Sequence, residues 1–129
     1  MINNGILNPH ILALLARVRH TNALVIADRG FPFWPQIETV DVSVLDDLPT
    51  VLQLIKAVRA NHQFTEAYMA REFLANNPKL VAQKFRAALR GTTVRFEPHV
   101  EFKKRVPHAI GLIRTGDTTP YANTILISG

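Results

Sequence analysis

The chain contains no cysteine, which excludes a disulfide framework and thiolate chemistry and is compatible with a reducing compartment. No stretch approaches the roughly 18 apolar residues of a membrane span, and the opening MINNGILNPH lacks a cationic segment followed by a long apolar one. A cytoplasmic protein with no membrane partner is therefore expected. Repeats, low-complexity tracts and Gly/Ser linkers are also missing, so residues 1–129 read as a single domain. With 47% hydrophobic and 19% charged residues it is long enough to bury a core without staples. No Gly-x-Ser-x-Gly element offers an activated serine. The five histidines form no close pair at ligand spacing, and with no cysteine to join them no metal site is expected.

What the chain does have is positive charge: +5 formally, with a pI near 10.1. Clustered cations would suggest a nucleic-acid partner. Here Lys79, Lys84, Arg86 and Arg90 interleave with Leu80, Val81, Phe85 and Leu89, the pattern of a solvated helix face, and no nucleic-acid partner is expected.

Punctuation along the chain divides it into alternating helices and strands. Asn8 and Pro9 open a helix that carries Ile11, Leu14, Leu15 and Val18 on one face and ends near His20. Ala23–Ala27 is a continuous apolar run, the signature of a strand covered on both sides, and Asp28, Gly30 and Pro32 terminate it. A second strand is predicted over 37–44. A helix announced by Asp46 or Asp47 and Pro49 follows, with Val51, Leu54, Ile55 and Val58 buried. Residues 63–69 read as strand. Asn77 and Pro78 open a helix that runs to Arg90 and stops at Gly91. Residues 92–96 read as strand, 99–105 as a short helix, and 109–114 and 124–127 as closing strands. Such alternation predicts an α/β fold, a three-layer α/β/α sandwich on a largely parallel (mixed) sheet.

In such folds sites gather beyond the carboxyl ends of the strands. Asp28 occupies that position, and so does the loop RTGDTTPYAN, where Tyr121 and Asn123 offer a phenol and an amide at a point stiffened by Pro120. Those groups can bind several hydroxyls without committing to a charge, as a sugar requires. His20 lies at the other end of the same apolar run, and eight residues of extended chain cover up to about 26 Å. One small pocket in one chain cannot hold both unless Thr21-Asn22 folds the histidine back.

The histidine before the first long strand, Asp28-x-Gly30-x-Pro32, His99 in HVEFKK, and Arg114-x-Gly116-x-x-x-Pro120-Tyr121-Ala122-Asn123 together resemble the D-ribose pyranase and L-fucose mutarotase family. The likeness runs from ILNPH to the end of the chain, and Pro-Tyr-Ala-Asn is more similar to the ribose branch. The resemblance implies a cofactor-independent isomerase that interconverts pyranose and furanose forms of a free aldose, D-ribose first among them. It implies that His20 transfers the proton and that Asp28, His99, Tyr121, Ala122 and Asn123 bind the sugar. Lys103, one helical turn from His99, is a further candidate. It also implies ring-shaped homo-oligomers, pentamers or decamers, with pockets in clefts between neighbours.

Two positions depart from the family pattern: Arg19 replaces the usual glycine before the histidine, and Asn22 stands where an acid is common. A cationic neighbour disfavours imidazolium, and a lost carboxylate removes a group that favours it. Two other readings stay open at this point: a fucose-type mutarotase acting on another aldose, and a non-catalytic sugar-binding or transport-associated protein.

Overall fold

A computed structural model describes residues 5–129. Its first helix, α1 (Pro9–Arg17), begins as its sequence dictates: the Asn8 side chain accepts from the His10 and Ile11 N–H groups, and Pro9 follows at the first position. It ends at Arg17, three residues before His20. Residues 19–22 instead form a tight turn. Asn22 N–H donates to the Arg19 carbonyl, the Asn22 side-chain oxygen accepts from Arg19 N–H, and Thr21 takes a left-handed φ of 70°.

Strand β1 (Ala23–Ala27) is flanked on both sides, by β5 (Gly111–Arg114) in parallel and by β6 (Thr124–Ser128) antiparallel. The full order is β2-β5-β1-β6-β3-β4, where β2 is Glu38–Asp41, β3 Phe64–Ala70 and β4 Thr93–Glu97. Only β6 runs against its neighbours, so the sheet is mixed and largely parallel. Strand periodicity sends Leu24 and Ile26 to one face and Val25 and Ala27 to the other. On the first face they meet α1, α2 (Val51–Arg59), α3 (Arg71–Ala75) and α4 (Lys79–Ala88). On the second they meet α5 (His99–Arg105) and Phe31. These two cores make the three layers. Each fully buried aliphatic side chain contributes about 1.5–3 kcal/mol relative to exposure.

Several boundaries differ from the sequence reading. The second strand is shorter, Glu38–Asp41 rather than 37–44. Helix α2 is capped neither by Asp46 nor by Asp47 but by Thr50, whose hydroxyl accepts from Gln53 N–H while the Gln53 side chain accepts from Thr50 N–H. The Asp47 carboxylate takes the N–H and hydroxyl of Thr118 instead, and this holds it below the usual carboxylate range. Asn77 does not cap α4, which starts from Pro78; its side chain is used elsewhere. Gly91 has the left-handed φ of 84° expected of it. Helix α3, five residues between β3 and α4, has no counterpart in the sequence reading.

Candidate functional site

Parallel strands β1, β4 and β5 all point their carboxyl ends to one edge of the sheet, and β6 starts there. The segments leaving that edge build a cleft of about 250 Å³ lined by Asp28, Gly30, Phe31, Pro32, His99, Tyr121 and Asn123. The structure thus brings together four of the seven sequence candidates. It is not the largest surface depression, but it is the one in which candidate polar groups converge.

Asp28 and Asn123 form a reciprocal pair. The buried Asn123 side-chain oxygen accepts from Asp28 N–H at 2.8 Å, and its amide nitrogen donates to the Asp28 carboxylate at 3.2 Å. The other carboxylate oxygen accepts from Gly30 N–H at 3.0 Å, closing the turn. Burial raises the Asp28 carboxyl above its ordinary value, against the opposing pull of these hydrogen bonds. Beneath the turn the Arg114 guanidinium donates to the carbonyls of Asp28, Arg29 and Pro32. One cation therefore fixes the segment that presents the carboxylate.

On the opposite wall the His99 ring meets the Tyr121 ring edge to face, centroids 5.1 Å apart, and also contacts Phe102 and Phe31. Its Nε2 is buried and makes no hydrogen bond within the protomer. Burial lowers the His99 pKa below 6.5, and Lys103 adds to the effect, while Glu72 and Asp28 oppose it. A neutral imidazole, able to donate at one nitrogen and accept at the other, is favoured at this wall.

Tyr121 adopts a left-handed φ of 56°, unusual for an aromatic residue. The surrounding contacts hold it there: Asn77 donates to the Pro120 carbonyl at 2.9 Å, and Ala122 N–H donates to Thr119. Further back the loop threads against the 45–49 turn. Gly116 N–H donates to Pro49, and a Cβ on Gly116 would lie 2.2 Å from the Leu45 carbonyl oxygen, so no other residue fits. Asp117, 2% exposed, accepts from Val51 N–H and Thr119 N–H and so joins the loop to the start of α2.

The remaining three candidates do not line the cleft. Ala122 packs its methyl into the core, and its N–H and carbonyl are already engaged by Thr119 and the Thr124 hydroxyl. Lys103 is half-buried one turn along α5, close enough to influence His99 but outside the lining. His20 is exposed on the 19–22 turn at the amino end of β1, at the opposite edge of the sheet. The turn does not fold it back. Asn22 closes the turn, and the Arg19 guanidinium donates back to the Ala16 and Val18 carbonyls at the end of α1.

The sequence reading missed Phe31, which forms the aromatic floor, because an apolar residue after a strand carries no chemical signal. Among the described residues no cluster of three or more histidine or carboxylate side chains could hold a metal ion, and no helix is long and apolar enough to cross a membrane.

Comparison with known proteins adds three findings. The model of the RbsD / FucU transport protein family matches residues 1–129. Curated D-ribose pyranases from Chromobacterium violaceum and Geobacillus kaustophilus are 40% and 39% identical to this chain; each alignment covers all of it, with 98% and 94% of the relative. Among solved structures, Bacillus subtilis RbsD complexed with D-ribose superposes with a TM-score of 0.92 at 32% identity, covering 100% of this chain and 98% of that one. The fucose mutarotase of Streptococcus pneumoniae shares the fold, with a TM-score of 0.84 at 18% identity and coverage of 100% and 98%.

Proposed function

This chain belongs to the RbsD / FucU family, and from that premise we propose that it interconverts the pyranose and furanose forms of D-ribose without a cofactor. The observation that carries the reading is the cleft itself. Asp28, Asn123, His99 and Tyr121 supply a carboxylate, an amide, an imidazole and a phenol around a space below the roughly 300–1,000 Å³ of pockets for larger ligands. The 40% identity to a D-ribose pyranase and the likeness to a ribose-bound relative favour ribose over other aldoses.

The chemistry asks little of the protein. Ring opening removes the anomeric hydroxyl proton, breaks the bond from the anomeric carbon to the ring oxygen, and returns a proton to that oxygen. The open aldehyde then recloses through a different hydroxyl. One imidazole can take the first proton and deliver the second, a contribution of about 10² to 10⁴-fold. We assign that role to His20 and the holding of hydroxyls to Asp28, His99, Tyr121 and Asn123. Lys103 and Ala122 stand behind this wall, one as a nearby charge and one as packing.

His20 lies at the far edge of the sheet, so the reading requires it to come from a neighbouring chain in a ring of subunits, a pentamer or decamer. Exposed apolar side chains beside the cleft support such contact. Phe33, Val44, Leu45 and Leu48 are 47–71% exposed, on two loops joined by the Arg29–Asp46 ion pair. The absence of cysteine suits a reducing compartment, and we place the reaction in the cytoplasm. Saturation-transfer NMR on D-ribose at ring-form equilibrium tests the activity. Faster exchange in the presence of the protein supports the assignment, whereas signals that broaden at an unchanged exchange rate identify a binder.

A further inference from the structure

Helix α5 begins with an unusual deficit. The residue at its N-cap position is Pro98, which has no side-chain acceptor, and no cap hydrogen bond from its own segment satisfies the first turn. The His99 N–H, first in the helix, is served from another element: both carboxylate oxygens of Glu72 accept it, at 3.0 and 3.2 Å. A carboxylate at this position also complements the positive end of the helix.

Glu72 is half-buried in the first turn of α3, and the next residue anchors that helix. Phe73 is 1% exposed and packs edge to face on Phe85 at 4.9 Å. At the other end of α3, Asn77 donates to the Phe73 carbonyl and to Pro120 at the Tyr121 bend. The α3–α4 corner thus grips both segments whose rings meet in the cleft wall. We propose that Glu72 is a positioning residue of this cleft, holding His99 by its backbone N–H so that the imidazole keeps its place against Tyr121 and the sugar.

The carboxylate acts on the ring as well as on the backbone. The charged groups facing His99 are Glu72 from α3, Asp28 from the turn after β1, and Lys103 from α5 itself; the two carboxylates favour the imidazolium and the lysine opposes it. Glu72 therefore limits how far burial depresses His99. The inference builds on the sugar-binding reading, but its main readout needs no sugar.

The test is NMR titration of the His99 imidazole in the full chain, with D-ribose affinity measured in parallel, for wild type, Glu72→Gln and Glu72→Ala. Glu72→Gln keeps an acceptor for the N–H and removes the charge. Its His99 midpoint falls below wild type while the His99 amide resonance and ribose affinity stay close to it. Glu72→Ala loses both: the midpoint falls, the amide moves and ribose binds about tenfold more weakly. Should Glu72→Ala fail to fold, Glu72→Ser, whose hydroxyl is too short to reach the His99 N–H, takes its place with the same expected outcome. A wild-type His99 amide resonance in folded Glu72→Ala overturns the proposal, as does wild-type ribose affinity in that variant. If no variant, wild type included, binds ribose while the His99 amide still moves in Glu72→Ala and not in Glu72→Gln, the positioning of His99 stands and the substrate assignment fails.

Discussion

The two edges of the sheet are built on opposite plans. At the carboxyl edge Asp28 is tied to Asn123 and Gly30, Arg114 to three carbonyls, Asp117 to α2, and the His99 N–H to Glu72, while the His99 Nε2 is left without a partner in its own chain. At the amino edge His20 sits exposed on a four-residue turn, and its imidazole makes no hydrogen bond among the described residues. The first edge has the rigidity of a binding surface, in which hydrogen-bond donors and acceptors are fixed before the ligand arrives. The second offers a titratable group with nothing in its own chain to act upon. On the proposed reading, each protomer gives its His20 to one site and its cleft groups to another, because it cannot bring the two together itself.

This contrast predicts that substitutions at the two edges fail in different ways. The largest effect belongs to His20→Ala, which reduces D-ribose exchange by at least about 10²-fold, while its exposure leaves the melting temperature near that of wild type. A fall in both activity and stability would show that His20 is bound into the fold after all. Asn123→Ala comes next and acts the other way. It strips the buried Asp28 N–H of its acceptor, costs about 1–3 kcal/mol of stability, and weakens ribose binding; calorimetry and denaturant unfolding measure the two together.

The smallest effect concerns Asp28. Burial raises its folded-state pKa above 3.8. Its carboxyl accordingly supports stability below that value, and this support is lost as pH rises through the folded pKa. Asp28→Asn is neutral at every pH, so its melting temperature relative to wild type climbs from acid to neutral pH. A difference that stays constant across that range would show that the carboxyl is not buried as described.

The same contrast explains what the sequence could and could not reveal. Element types were legible because each signal was local: the apolar run 23–27, the Asn8-Pro9 opening and Gly91 all acted as their chemistry requires. Asp28, Tyr121 and Asn123 stood out by their place after strands and by family resemblance, and His99 by the resemblance alone; the structure brings all four to one cleft. Glu72 was not, because an Arg-Glu pair after a strand looks like any solvated turn, and its role depends on a proline 26 residues later that cannot cap its own helix. Thr50 outcompeted the acids at 46 and 47 because only it stands three residues before a glutamine that answers it. Asn77, read as a cap, serves the cleft loop 43 residues away instead. Such long-range bonds leave no periodic trace.

The central claim, that the two halves meet across a subunit boundary, is tested most directly by complementation. A His20→Ala protein and a Tyr121→Ala protein, each inactive alone, are mixed, and subunit exchange is verified by mass spectrometry before D-ribose exchange is measured. If each site takes His20 from one chain and Tyr121 from the next, an equal mixture restores about a quarter of the sites, since one arrangement in four pairs two intact groups in a symmetric ring. No recovery after verified exchange, or full activity in a dilute wild-type monomer, would contradict the account.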